Sequence, residues 1–260
     1  MNNIAPTAIV SENAVLGKNV SIGHFSIIED NVVIGDNTEI MSHVLICSGT
    51  RLGKNCKIFK GAVLGTIPQD LKFGGEDSYL EIGDNNTIRE FCTLNRGTKD
   101  RGKTSLGNNC LLMAYAHIGH DSDVRNNVII ANSVNLAGHV LIEDFAGIGG
   151  DTSIHQYCKV GIHSFTGGGF RIVRDVPPYV LAAGEPLKYY GLNRVGLKRK
   201  GFSSETLDII KKFYSYFSNP DITFSRAFEE IDRNIEKIPE IEHALEFIKS
   251  SKRGLIKFKG

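Results

Sequence analysis

The stretch "AHIGHDSDV", residues 116–124, places His117 and His120 three positions apart, with Asp121 directly after the second. Further on, "LAGHV" sets Gly138 beside His139, and "HQYC" sets His155 beside Gln156. Of the eight histidines in the 260-residue chain, four lie between positions 117 and 155, which concentrates titratable nitrogen in one region. Three chemistries fit this pattern. A histidine of near-neutral pKa, poised by a neighbouring group, takes a proton from an alcohol. Alternatively, histidines on stacked strands or adjacent subunits converge on zinc, with His117, His120 and His139 as ligands. The third reading is a set of solvated corner side chains. Spacing alone leaves all three open. The Gly138 N–H could serve an oxyanion, although glycine at a corner is also routine. Asp70 and Lys72 in "PQDLKF" offer a carboxylate and an ammonium on one loop, and Arg199 and Lys200 belong to a basic run suited to phosphates. Either pair reads equally well as solvated surface.

The elements that position these residues follow a six-residue repeat. Every sixth residue from Ile4 to Leu64 is aliphatic. The phase stops at "TIPQDLKFGGEDSY", residues 66–79, and restarts at Ile82, Ile88 and Leu94. It stops again at "RGTKDRGKTS", residues 96–105, then runs from Leu106 through Ile118, Ile130 and Ile142 to Ile172. Small or β-branched residues occupy the position two before, as at Val32, Ala116 and Val134. A helix would space apolar residues by three and four. A period of six fits short strands whose residues i−2 and i point inward, each followed by a tight corner at which a glycine such as Gly35 tolerates the backbone angles. Three strands make one coil, and coils stack in parallel at about 4.8 Å. The fold class is therefore mainly β, a parallel β-helix of hexapeptide repeats. Cys56, Cys92, Cys110 and Cys158 share the small inward phase and read as core filler.

A stacked prism has little room inside, so segments 66–79 and 96–105 must loop outward, where binding residues tend to sit. His120, two past the inward Ile118, is a corner residue outside the prism, and His155, two coils further on, is expected to share its groove. The repeat ends near Asp175, and the two prolines of "DVPPYV" are expected to stop the ladder. From Ser203 the pattern turns helical, with a serine cap and apolar residues at Leu207, Ile210, Phe213, Tyr214 and Phe217. The expected division is a β-helix over 1–189 and a small helical domain over 190–260 that caps the open end.

Basic and acidic residues nearly balance, 30 against 29, which gives no sign of a nucleic-acid partner. The start "MNNIAPTAIV" has no basic n-region, and no apolar stretch is long enough to span a bilayer, so no integral membrane segment, no signal peptide and a cytoplasmic location are expected. Five widely spaced cysteines without C-x-x-C argue against a disulfide framework and a zinc knuckle.

The segments "GTIPQDLKFGGE", "LEIGDNNTIRE", "NRGT", "AHIGHD", "LAGHV", "HQYC", "DVPPYV" and "GLNRVGLKRKGFS" occur in the order seen in UDP-N-acetylglucosamine acyltransferases, and nearly the whole chain resembles that family. The resemblance implies a left-handed β-helix and a homotrimer with active sites between neighbouring prisms. It implies transfer of a 3-hydroxyacyl chain from acyl carrier protein to the 3-hydroxyl of UDP-N-acetylglucosamine, the start of lipid A synthesis, without metal or cofactor. By resemblance His120 is the catalytic base, Asp121 its supporting acid and Gly138 the oxyanion glycine. His117, His139 and Gln156 match substrate contacts, as do Asp70 and Lys72 on the loop touching sugar and acyl chain. Asn193, Arg199 and Lys200 fall where the nucleotide is held. Gly168, in "FTGGGF", falls where residue size limits acyl length, and a glycine there implies a deep groove and a long chain.

The chain departs from the family pattern at Asn95, where many members carry histidine, at Val195, where some carry an acid, and in "AAGEPLKYYG". The 3-amino analogue of the sugar is the alternative acceptor. Two other classes compete: a γ-carbonic-anhydrase-like zinc hydrolyase, and a β-helical scaffold without turnover.

Overall fold

The computed structural model of the chain describes residues 1–258. Each short strand pairs in parallel with the strand three further along, so Ser21–Ile22, Glu39–Ile40, Lys57–Ile58, Thr87–Ile88 and Leu111–Leu112 climb one face. Three such faces enclose a triangular prism, a left-handed parallel β-helix. The inward side chains form columns: Ile22, Ile40, Ile58, Ile88 and Leu112 stack in register and are at most 2 % exposed. Each buried aliphatic of this kind contributes roughly 1.5–3 kcal/mol, which explains why the phase is so strictly kept. Cys56, Cys92, Cys110 and Cys158 are buried among them, and burial pushes their thiols up to about 11, so they stay protonated.

The two interruptions are outward loops. Ile40 lies 18 residues after its partner Ile22, whereas Ile88 lies 30 after Ile58 and Leu112 lies 24 after Ile88. The extra residues leave the prism and rejoin it without disturbing the columns.

The corners differ from expectation. At most corners the backbone turns left-handed not at the residue after the aliphatic but two residues later, as at Asn37 (φ 58°), Asn55 (55°), Asp121 (59°) and His139 (62°). Asparagine and aspartate tolerate this region because their short polar groups bond locally. Here Asn19, Asn37, Asn55, Asn85 and Asn109 pass side-chain hydrogen bonds of 3.1–3.2 Å up one corner. Gly35 is needed for a different reason: a Cβ there would sit 2.6 Å from the Gly53 carbonyl carbon of the next coil.

The prolines do not end the stack. Pro177 and Pro178 occupy a corner, where no ladder N–H is required, and Val180–Ala183 resumes parallel pairing with Phe165–Thr166. The expected junction at 189/190 falls inside the strand Lys188–Leu192, which turns back antiparallel on Val180–Ala183. A short helix that the sequence reading did not anticipate, α1 (Arg194–Arg199), follows, then α2 (Ser204–Ser218), α3 (Phe224–Asn234) and α4 (Pro239–Lys249). The face of α2 that the periodicity predicts is buried, and Tyr214 Oη donates to Pro178 O at 2.7 Å. No helix among the described residues is long and apolar enough to cross a membrane.

One contact between helix and prism is titratable. His243 Nε2 of α4 lies 2.8 Å from Glu143 Oε2, which also accepts the Ile162 N–H. The hydrogen bond with Glu143 raises the His243 pKa against the opposing effect of burial. A raised folded-state pKa stabilises fully below the unfolded value of about 6.5 and is lost as pH rises through the folded value. Wild type should therefore lose stability relative to His243→Gln as pH climbs from about 6 to about 9. Urea midpoints of both proteins across that range measure the difference, and parallel curves would refute it.

Candidate active site

The site grows from one corner of the prism. Strand His117–Ile118 pairs with Asn135–Leu136 and that with Ser153–Ile154, so the corner residues His120, Gly138 and Gln156 follow one another on successive coils. The backbone enforces the stacking, with His139 N donating to His120 O at 2.9 Å.

His120 Nδ1 lies 2.8 Å from Asp121 Oδ2. An ionised carboxylate only accepts, so the proton is on Nδ1 and Nε2 carries the lone pair. Asp121 is fully buried, while the His120 side chain keeps 16 % of its surface exposed. Asp121 can stay charged there because its oxygens are fully engaged: Oδ1 accepts the Thr98 N–H at 2.9 Å and Oδ2 the Thr98 hydroxyl at 2.8 Å. Burial works to raise its pKa, but the bonds from His120 and Thr98, with His139 nearby, hold it below the ordinary carboxylate value. The left-handed backbone at Asp121 folds its side chain back beside its neighbour, which is how adjacent residues come to touch.

Gly138 faces His120 Nε2. A Cβ on it would lie 2.6 Å from both Cε1 and Nε2 of His120. Hydrogen occupies that place instead, leaving a gap over the imidazole. Among the described residues the Gly138 N–H donates to no acceptor, whereas corner amides such as Lys54 N and Asp84 N are held by side-chain oxygens of the next coil. A free, oriented donor beside a base suits a developing oxyanion. Gly138→Ala is expected to lower kcat about a hundredfold by pushing the ring off Asp121. Its φ is not left-handed, so the thermal midpoint should change little; equal losses of kcat and fold would refute the steric reading.

His139 lies flat against Tyr157 (4.5 Å, 14°) and edge-on to His120 (5.2 Å). Its ring nitrogens are 3.5 Å from Asp100 Oδ2 and 3.6 Å from Asp121 Oδ2. His117 lies on the same coil, on the strand leading into the corner; its Nδ1 is 2.7 Å from Thr93 Oγ1, and burial lowers its pKa, so it is neutral near pH 7. Gln156 is exposed beyond Gly138. His155 is not in this groove: its Nδ1 faces Arg253 Nη2 at 3.2 Å.

The zinc set of the competing hydrolyase reading, His117, His120 and His139, is not brought together. The group that does converge is His120, Asp121 and His139, with ligand atoms within 4.8 Å of one another. There, three hydrogen bonds already use both Asp121 oxygens, and a cation would have to break them.

The remaining candidates stand apart from the dyad. Asp70 is half-buried, with Oδ1 accepting the Lys72 N–H at 3.0 Å, and the Lys72 side chain is exposed. Asn193 caps α1: its Oδ1 accepts the Gly196 N–H and its Nδ2 donates to His163 O at 2.9 Å. Arg199 is exposed, and Lys200 Nζ sits 4.6 Å over the Phe145 ring. Gly168 is exposed, but a Cβ on it would lie 2.8 Å from Gly150 O, so the preceding coil's backbone fills the space a side chain would need. Asn95 is buried, with Nδ2 donating to Thr66 Oγ1 at 2.8 Å. Sequence reasoning missed Thr98, Asp100, Arg101 and Thr104; the available signal was "NRGT" at the start of the second loop, quoted without a role for its threonine.

Residues 175–256 match the family described as Udp N-acetylglucosamine O-acyltransferase, Domain 2, and residues 13–48 and 103–138 match the bacterial transferase hexapeptide family. The acyl-[acyl-carrier-protein]--UDP-N-acetylglucosamine O-acyltransferase of Thiobacillus denitrificans is 49% identical over 258 residues, covering 99% of this chain and 100% of that one. The crystal structure of LpxA, a UDP-N-acetylglucosamine acyltransferase from Bacteroides fragilis, superposes with a TM-score of 0.96 at 44% identity, over 97% of this chain and 99% of that one. LpxA from Acinetobacter baumannii gives 0.94 at 41% identity, over 98% and 99%.

Proposed function

This chain belongs to the acyl-[acyl-carrier-protein]--UDP-N-acetylglucosamine O-acyltransferase family, and from that premise we propose that it moves a 3-hydroxyacyl chain from acyl carrier protein to the 3-hydroxyl of UDP-N-acetylglucosamine, with His120 as general base. It is an acyltransferase, and its reaction opens lipid A synthesis. The observation that carries the mechanistic reading is the orientation of His120: Nδ1 is held by buried Asp121, and Nε2 opens on the gap left by Gly138.

The sugar hydroxyl is a weak nucleophile at neutral pH. As its oxygen attacks the thioester carbonyl, His120 Nε2 takes the proton, a contribution of ~10²–10⁴-fold. Asp121 stabilises the imidazolium that forms. The carbonyl oxygen becomes an oxyanion, which the Gly138 N–H receives. Collapse expels the pantetheine thiolate, and the imidazolium returns the proton to that sulfur, leaving an ester and a free thiol. A thioester is already activated, so the step requires neither metal nor cofactor.

His139 and His117 flank the base and are assigned to substrate contacts, with Gln156 beyond. Asp70 and Lys72 reach sugar and acyl chain from the first loop. Asn193, Arg199 and Lys200 hold the nucleotide, and in this reading the groove is completed by a neighbouring prism in a homotrimer. That assembly accounts for the separation of these residues from the dyad within one protomer. Gly168 is kept as the candidate limit on acyl length, although the Gly150 backbone, and not an open groove, occupies the space its side chain would take. In this reading the protein works in the cytoplasm.

The test is acyl transfer by wild-type protein from a panel of 3-hydroxyacyl carrier proteins to UDP-N-acetylglucosamine, with excess chelator present. Turnover that resists chelation is expected, and the best donor reads the acyl length that the site accepts. Turnover only with the 3-amino sugar would replace the ester by an amide. Activity abolished by the chelator would overturn the base mechanism in favour of metal chemistry.

A further inference from the structure

The second outward loop does more than leave the prism. Asp121 is fully buried, and four of its five hydrogen bonds come from residues 98–104, the loop and the first residues of the strand Lys103–Leu106 that follows it. Thr98 N–H and Oγ1–H donate to its two carboxylate oxygens at 2.9 and 2.8 Å. Thr104 Oγ1 accepts the Asp121 N–H at 2.8 Å, and Arg101 Nη1 donates to Asp121 O at 3.0 Å. The fifth contact is His120. Without the loop this carboxylate would meet water or swing freely. The strand columns need no loop here; they continue in register beneath it.

We propose that Thr98 is a positioning residue of the transfer reaction, which fixes the Asp121 carboxylate so that His120 keeps its base tautomer and its aim. The inference rests on the general-base reading of His120 and deepens it. The two bonds from Thr98 act differently. The backbone N–H fixes Oδ1 and so sets which way the carboxylate plane lies. The hydroxyl shares Oδ2 with His120 and so tempers the charge that the imidazole feels. A second tie reaches the neighbouring loop: Glu76 Oε1 accepts the N–H of Lys99, the residue after Thr98, at 3.0 Å, and Glu76 Oε2 accepts the Gly74 N–H at 2.8 Å. The loop that bears Asp70 and Lys72 is thereby fastened one residue from the dyad's support. Thr98 is itself 7 % exposed and does not open onto solvent, so it touches neither substrate nor reacting atom in this role.

The experiment compares wild type, Thr98→Val and Thr98→Ser. Valine keeps the shape and the N–H but removes the hydroxyl; serine keeps the hydroxyl. Two measurements are made on each. The first is ring titration of His120 by NMR on the resting protein, which needs no turnover. His117, His139, Asp100, Arg101 and Asp123 surround the dyad and are unchanged in both variants. With one donor fewer on Oδ2, the carboxylate holds the imidazolium more tightly, so the His120 titration should move upward in Thr98→Val and stay near wild type in Thr98→Ser. The second is transfer kinetics: kcat should fall about ten- to a hundredfold in Thr98→Val with KM for both substrates unchanged, and recover in Thr98→Ser. An unmoved titration in Thr98→Val overturns the proposal whatever the kinetics. Equal losses in both variants, or a loss confined to KM, also overturn it. A failure of the general-base reading looks different: the titration shifts as expected while kcat of His120→Ala equals that of wild type.

Discussion

Replacing His120 by alanine is expected to lower kcat by ~10²–10⁴-fold, the usual contribution of a positioned general base. The side chain sits at a corner, outside the aliphatic columns, so its removal should leave the fold intact. KM should change far less than kcat, because proton removal stabilises the transition state and not the bound substrate. The residual rate would come from substrate placement and from the Gly138 N–H, which the mutation leaves in position. Single-turnover transfer with saturating donor and acceptor measures the effect. A variant that retains more than about a third of wild-type kcat would remove His120 from the mechanism.

The second large effect is expected from Asp121→Asn, and its cause is a tautomer and not a lost charge alone. Oδ1 of Asp121 faces a donor, the Thr98 N–H, so an asparagine must place its own carbonyl oxygen there. Its NH₂ then occupies the position of Oδ2 and points at His120 Nδ1. Two donors cannot face each other, so the imidazole gives up its Nδ1 proton and carries it on Nε2 instead. In the proposed mechanism that is the nitrogen which accepts the sugar proton. An equivalent change in a serine-protease triad costs about 10⁴-fold, and a loss of ~10³–10⁴-fold is expected here. The ring nitrogen chemical shifts of His120 should show the tautomer exchanged in a folded protein. Wild-type activity, or an unchanged tautomer, would mean that Asp121 serves the corner's structure and not the base.

Much of this molecule was legible in its sequence, and the reason is periodicity. Inward columns built from one residue in six admit no other phase, since a slip by one would turn Ile22, Ile40 and Ile58 outward together. The aliphatic phase therefore fixed the strands, the faces, the burial of four cysteines and the outward course of two loops. The periodic face of α2 followed for the same reason. Corners were less legible. Glycine after each aliphatic was read as a turn residue, yet Gly35 answers to the backbone of the next coil, and the left-handed angle falls on residues such as Asn37 and Asp121. Local propensity cannot reveal a clash with a residue 18 positions away.

The site divides along the same line. Adjacency in sequence was enough to suggest that His120 and Asp121 act together, and the order of motifs was enough to suggest the family. Sequence alone left the acid's protonation, the histidine's free nitrogen and the role of Gly138 undecided, because each depends on contacts between coils or from a loop. Thr98 lies 23 residues from Asp121 and holds it through two bonds, and Gly138 leaves empty the space over an imidazole one coil away. A repeat determines what stacks on what; which proton sits on which nitrogen was decided only when the second loop folded over a buried carboxylate and gave it donors in place of water.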